Sequence, residues 1–408
     1  MFEHLHYWPR TWIQVACTAF AISAIAMPVA IFLLRRFGIV DAVEPNKIHK
    51  KAIARGGGVV IFMAFAIAVL MPDYRSHPFN GVIIGAFLCT LVGFVDDVRG
   101  GIPAIWKLGT LAIVTVILSY YGVMLSLFPW PTANLLVTML WLVGVTSAFN
   151  GIDNMDGLGS GLAVVIASMF LVIAGQAYLA AGTETSLSWF GMLAAGLIGA
   201  NLGFLIYNFH PARVFMGDSG SFFLGFTLAA LGVMGEWSTT RLISAVIPIL
   251  ILGVPLFDFA YIIIARIRRG KTRTLREVIE HCAPDHLSHR LTWIGFTQRQ
   301  AVLFIYVIAI AMGLSGVLLR STYSTADSAL ALVQGLSVLT IVIVLMAKAG
   351  RMHARYERED THLPAPAPEK PAPEAPSLET PPSAPRKRGP AYADNLQDAQ
   401  STKEHPAV

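Results

Sequence analysis

Thr11–Arg36 reads TWIQVACTAFAISAIAMPVAIFLLRR, an apolar run without a charged side chain until Arg35 and Arg36 close it. A bilayer crossing needs roughly 17 to 25 apolar residues, so this stretch is long enough to span. It is also too long for a signal-peptide core, and its arginine pair resembles a stop-transfer flank, so it is expected to be a retained helix. The pattern recurs along the 408-residue chain, which is 55% hydrophobic, only 13% charged and has a mean hydropathy of +0.61. Those values place it in the polytopic membrane class.

About eleven spans are expected: 11–34, 57–72, 81–95, 105–122, 135–149, 161–181, 187–207, 220–235, 242–265, 301–319 and 327–347. The predicted fold class is an all-α, multi-pass membrane protein. Lys and Arg fall mainly in alternate connections: Arg35, Arg36, Lys47, Lys50, Lys51, Arg55, Arg99, Lys107, Arg213 and a dense group from Arg266 to Arg299. The opposite side carries Arg10, Arg75, Arg241 and Arg320. The positive-inside rule makes the basic side cytoplasmic, with the N-terminus outside and the C-terminus inside. The net charge of +5 restates this basic rim, which suits lipid or substrate phosphates and gives no reason to invoke nucleic acid. Cys17, Cys89 and Cys282 form no disulfide framework.

Two domains are expected: a multi-span domain over 1–350 and a tail over 351–408. The tail is rich in Pro, Ala and Glu, cannot build a core and is expected to be disordered.

Polar motifs interrupt the apolar pattern at the cytoplasmic ends. In GFVDDVRGG, Asp96 and Asp97 close the third span. Adjacent carboxylates at a helix C-terminus oppose the macrodipole and repel each other, so they call for a cation or a bound proton. Arg99 and Lys107 are near enough in sequence to serve as plain ion-pair partners. In NGIDNMDGLGSG, Asn150, Asp153 and Asp156 recur every third residue, which on a helical turn gathers them on one face. The same pattern also suits a turn and N-cap for the sixth span. In YNFHPARVFMGDSGSFFLG, Asp218 and Ser219 precede an apolar helix, where a cap is routine and an anion such as a diphosphate also fits. Arg213 adds a cation there and Phe215 a flat face for a base.

Two basic loops complete the set. DAVEPNKIHKKAIARGGGVV contributes Lys47 and His49 with Lys50, Lys51 and Arg55, and PDHLSHRL contributes His286, His289 and Arg290 as donors for phosphate or sugar oxygens. A zinc site from His281, Cys282, His286 and His289 lacks the paired ligand spacing that zinc sites usually show. Five carboxylates among several cations suit Mg²⁺, with Mn²⁺ as the alternative ion, because such ions take hard oxygen ligands and substrate phosphates. Phosphoryl transfer at a membrane surface is the chemistry implied.

These motifs, in this order and between these spans, resemble the polyprenyl-phosphate N-acetylhexosamine-1-phosphate transferases, over roughly residues 11 to 347. The resemblance implies a bacterial cytoplasmic-membrane enzyme, most simply of the GlcNAc-1-phosphate branch. Its substrates would be undecaprenyl phosphate and a UDP-N-acetylhexosamine, its by-product UMP, and its product the start of a cell-envelope glycan such as O-antigen or cell wall. It implies catalytic roles for Asp96, Asp97, Asp153 and Asp156, with Asp97 helping to deprotonate the lipid phosphate. Asp218 becomes the principal metal ligand beside Asp153 and Asp156. Lys47 and His49 fall to phosphate, Asn150 to metal and nucleotide diphosphate, and Asn208 and Phe215 to the nucleoside. Arg213, His286, His289 and Arg290 join the substrate-binding set, and a homodimer is compatible with the family. Ser288 replaces a histidine common in the last motif, which argues against the peptidoglycan enzyme's bulky peptide-bearing substrate and leaves the hexosamine open.

Rival readings are a cation- or proton-coupled secondary transporter and a CDP-alcohol phosphotransferase. A relay would place acids near mid-span, whereas these cluster at helix ends. DGLGSG lacks the Ala-Arg of the phosphotransferase signature, and a non-catalytic scaffold would have no use for five loop carboxylates.

Overall fold

The computed structural model describes residues 7–41, 52–74, 76–181, 188–235, 237, 241–268, 270, 285–321 and 324–361. The expected helices are there. They are α1 (Tyr7–Arg36), α2 (Gly58–Leu70), α3 (His77–Arg99), α4 (Ala104–Tyr120), α5 (Pro131–Ile152), α6 (Leu158–Ala181), α7 (Ser188–Asn208) and α8 (Gly217–Met234). After them come α9 (Arg241–Ile251), α10 (Gly253–Arg268), α11 (Leu287–Trp293), α12 (Gln298–Ser321) and α13 (Thr325–Thr361). Among the described residues eight are long and apolar enough to cross a membrane, or nine if the bent pair α9–α10 is one span, so the chain is an all-α, multi-pass membrane protein.

Three expected spans differ in detail. The ninth, 242–265, is a broken pair: α9 and α10 meet at an angle of 84°. Pro248 lies inside α9 and Gly253 opens α10, residues that remove or weaken helical continuity. Helices α2 and α4 are shorter than the other spans. The 13 residues of α2 rise about 20 Å, less than the roughly 30 Å of hydrocarbon in a bilayer.

Contacts nonetheless show regular alternation. Trp12 Nε1 donates to Ser188 O, and Tyr207 Oη to Ala24 O, so α1 and α7 run parallel. Gly93 lies against Asp218 and Gly85 against Phe226, so α3 and α8 are antiparallel. Gly58 meets Gly220, and further along Phe62 and Phe65 meet Phe223, so α2 runs with α8. The most buried of the long helices is α8, and α1 and α13 are among the least. The start of α8 is therefore fixed from several sides.

Sequence patterning gave no sign of a small sheet formed by β1 (Val40–Asp41), β2 (Ile53–Arg55) and β3 (Val214–Phe215). β1 and β2 are antiparallel, and β2 runs parallel to β3 with Arg55 opposite Phe215. Strands this short carry no period that apolar patterning could reveal. Their effect is large, because they join the first loop to the loop before α8.

The compact unit ends at Arg358 and α13 continues to Thr361, past residue 350. Most of the expected tail, residues 362–408, lies outside the described residues, as do Lys47, His49, His281 and Cys282.

Candidate active site

The end of α3, the start of α4, the α5–α6 turn and the start of α8 meet at one end of the bundle. There Asp96, Asp97 and Asp218 bring one oxygen each within 4.8 Å of one another. Glycines permit the approach. A Cβ on Gly93 would lie 2.3 Å from the Asp218 carbonyl oxygen. At Gly217, φ is +69° and a Cβ would lie 2.4 Å from both Asp97 carboxylate oxygens, so backbone conformation and space both require glycine.

Asp97 is the anchor. Its Oδ1 accepts from Arg55 Nε at 2.8 Å and Asp218 N at 2.8 Å. Its Oδ2 accepts from Ser219 N at 3.0 Å and Ser219 Oγ at 2.7 Å. The carboxylate thus caps the first turn of α8, where free N–H groups favour negative charge. Asp96 accepts from Ile102 N at 2.8 Å and pairs with Lys107 Nζ at 2.9 Å. Arg55 Nη2 reaches Asp218 Oδ1 at 3.1 Å and Asp96 Oδ2 at 3.4 Å, and Lys107 Nζ also pairs with Asp218 Oδ2. Burial pulls the Arg55 guanidinium down, but Asp97 and Asp218 outweigh it and the net shift is upward. Three carboxylates facing two cations leave a net negative, oxygen-rich centre. That donor set fits a hard divalent ion.

The expected metal set was Asp218, Asp153 and Asp156, whereas the oxygens that converge with Asp218 are those of Asp96 and Asp97. Asp156 is committed elsewhere, accepting from Ala212 N at 3.0 Å and facing His210 Nδ1 at 2.7 Å. It holds the loop before α8 in place. Asp153 follows α5 and accepts a hydrogen bond from Gly159 N; burial pushes it up to about 7, and the nearby Asp218 charge pushes the same way. Asn150 accepts from Ser221 Oγ at 2.7 Å, tying α5 to α8.

Other expected contacts also turn out to be braces. Asn208 is 3% exposed, accepts from Gly157 N and Ser160 Oγ, each at 3.0 Å, and donates to Val214 O at 2.9 Å. Its carbonyl oxygen and one amide N–H are thus occupied by the loops around the site. Arg290 is 1% exposed. It donates to Asp285 O at 2.7 Å and Met346 O at 3.1 Å and stacks on Tyr261 and Trp293, so it bolts α11 to α13 instead of meeting substrate oxygens. Phe215 is half-buried in β3, and Arg213 is exposed. His289 is half-buried, and burial followed by the neighbouring His286 lowers its pKa. Two of the four residues of the zinc reading, His281 and Cys282, lie outside the described residues, among which Asp96, Asp97 and Asp218 form the metal-capable group.

Sequence reasoning placed Arg55 in the basic first loop and offered Lys107 as an ion-pair partner of the aspartate pair, as the Lys107–Asp96 pair bears out, but it overlooked Asp258. Asp258 is buried in α10 beside His286. An acid inside an apolar helix was the available signal.

Comparison with known proteins identifies the family. Residues 79–236 match the family model described as Glycosyl transferase family 4. A probable undecaprenyl-phosphate N-acetylglucosaminyl 1-phosphate transferase of Bacillus subtilis is 35% identical over 319 residues, 74% of this chain and 84% of the relative. A decaprenyl-phosphate N-acetylglucosaminephosphotransferase of Mycolicibacterium smegmatis is 28% identical, covering 81% of this chain and 87% of the relative. A phospho-N-acetylmuramoyl-pentapeptide-transferase of Clostridioides difficile is 27% identical, covering 73% and 94%. The motifs, the converging aspartates and these relatives agree: the chain belongs to glycosyl transferase family 4, among the polyprenyl-phosphate N-acetylhexosamine-1-phosphate transferases.

Proposed function

We propose that this protein transfers N-acetylhexosamine 1-phosphate, with GlcNAc 1-phosphate as the first candidate, from a UDP-sugar to undecaprenyl phosphate in the bacterial cytoplasmic membrane. An oxygen of the lipid phosphate attacks the β-phosphorus of the donor. The bond from that phosphorus to the bridging oxygen breaks, UMP leaves, and a lipid diphosphate sugar begins a cell-envelope glycan. The observation that carries the reading is the convergence of Asp96, Asp97 and Asp218 with Arg55 and Lys107, in a chain of this family.

Two anions must meet for this reaction, so charge compensation and positioning dominate its catalysis. Asp218 and Asp96 would hold Mg²⁺ or Mn²⁺, which when bound offsets phosphate charge. Arg55 and Lys107 supply positive charge beside them. Asp97, expected to help deprotonate the acceptor, has both oxygens committed to four donors. It serves instead to hold Arg55 and the first turn of α8. The acceptor needs little help, because a phosphate monoester loses its second proton with a pKa of about 6. His286 faces the α5–α6 turn and is assigned to the donor.

The test is a donor panel: UDP-N-acetylglucosamine, UDP-N-acetylgalactosamine and their deoxy relatives, assayed with undecaprenyl phosphate for UMP release. UMP release with at least one donor is expected, stopped by EDTA and restored by Mg²⁺. Failure with every donor contradicts the reading, and activity that survives chelation removes the divalent ion from it.

A further inference from the structure

His286 is held with more restraint than a loop histidine needs. Its Nδ1 lies 2.7 Å from Asp258 Oδ2, and Asp258 Oδ1 accepts from Leu287 N at 2.7 Å. Asp258 is 1% exposed inside α10, and among the described residues these are the donors that satisfy its two oxygens. The same turn is fixed twice more: Arg266 forms a two-pronged pair with Asp285, and Ser288 Oγ donates to Asn154 Oδ1 in the α5–α6 turn. The far edge of the imidazole lies over Gly151. A Cβ there would be 3.1 Å from Cε1 and 3.8 Å from Nε2 of His286. Gly151 follows Asn150, which is bonded to α8 beside the aspartate centre.

From this geometry we infer that Asp258 is a positioning residue, orienting His286 so that its Nε2 meets the sugar diphosphate of the donor. The inference rests on the transferase reading above. An ionised carboxylate can only accept, so a hydrogen bond to Asp258 keeps the proton of a neutral imidazole on Nδ1. That fixes both the ring plane and the character of Nε2. The break between α9 and α10 gives the carboxylate its place, because α10 sets out at 84° to α9.

Asp258→Asn is the informative change. The side chain keeps nearly its shape, but an amide has one oxygen for two donors. Either Leu287 N loses its acceptor, or the amide N–H₂ faces Nδ1 and drives the proton to Nε2. A merely structural aspartate would show its cost whether or not His286 is present.

The experiment is a double-mutant cycle in full-length protein: parent, Asp258→Asn, His286→Ala and the double variant, each assayed for kcat and KM with the active UDP-sugar and for its melting temperature in detergent. Both single variants are expected to lose at least about tenfold in kcat/KM, the usual scale for removing an orienting partner of a functional histidine. The double variant is expected to match His286→Ala within about twofold, the signature of residues acting through one another. Equal losses from Asp258→Asn in both backgrounds, or no loss in the parent background, overturn the inference. Should Asp258→Asn fail to accumulate, Asp258→Ser replaces it in the cycle with the same criteria. A parent inactive with every donor sinks the transferase reading and the inference with it, whereas an active parent with additive losses sinks the inference alone.

Discussion

Asp153 shows how the site constrains single side chains. Its folded-state pKa is pushed from 3.8 to about 7, by burial first and then by the neighbouring carboxylates, against the Gly159 N–H bond and the Arg55 charge. A carboxyl whose folded value exceeds its unfolded one binds its proton more tightly in the native state. Its ionisation therefore penalises the fold progressively between about pH 4 and pH 7, and fully above that. Asp153→Asn keeps an acceptor for Gly159 and removes the charge. Without divalent ions, the variant is expected to melt higher than the parent near pH 8 and to differ much less near pH 5. A shift of equal size at both pH values would show that Asp153 does not titrate in this range. At this scale the sequence was informative where residue type implied chemistry: Asp96, Asp97 and Asp218 stood out as acids in an apolar chain. It was uninformative about partner choice. Asn208 and Arg290 have the right chemistry for a ligand, but spend it on backbone groups far away in the chain, and only the tertiary structure reveals that.

Elements meet at the site through backbone approach more than through side chains. Gly57 N donates to Phe215 O at 3.0 Å and Gly58 N to Met216 O at 2.9 Å, so the first loop is sewn to the start of α8. At Gly58 a Cβ would lie 2.0 Å from Gly220 N, so alanine there must push α2 away from α8. Gly58→Ala is expected to cost about 1–3 kcal/mol, in the range of overpacked cores, read as a lower melting temperature. Arg55, three residues earlier, should be displaced with it, and transfer should fall further than stability alone explains. An unchanged melt with full activity would show that the contact is slack. The triple glycine was visible in the sequence, but its reason was not, since β2 and β3 are short and distant in the chain. Helix existence was legible from apolar run length. The break at α9–α10 was not, because Pro248 sits within a continuously apolar stretch and proline is tolerated in spanning helices.

On the scale of the whole molecule, alternation decides which ends share a surface. Trp12 pairs with Ser188 at one end of the bundle and Ala24 with Tyr207 nearer the other, and Met346, in the second half of α13, comes to Arg290 near His286. The second half of the last helix therefore approaches the side of the aspartates, and the start of α1 lies opposite. We propose that the aspartate side is cytoplasmic, as the Lys and Arg distribution predicts. A green fluorescent protein fused after Val408 is expected to fluoresce in cells, and alkaline phosphatase at the same position to stay inactive; the reverse pattern would invert the orientation. The central claim is that converging aspartates at this face run sugar-phosphate transfer. Its most direct measurement is the formation of labelled lipid diphosphate sugar from UDP-N-acetylglucosamine and undecaprenyl phosphate, comparing the parent with Asp97→Asn and Asp218→Asn, each checked for membrane insertion. The account predicts product and UMP in equal amounts from the parent and a loss of at least about a hundredfold in each variant, the scale of removing one preorganised electrostatic group. Full activity in either variant, or uptake of label into vesicles without lipid-linked product, would contradict it.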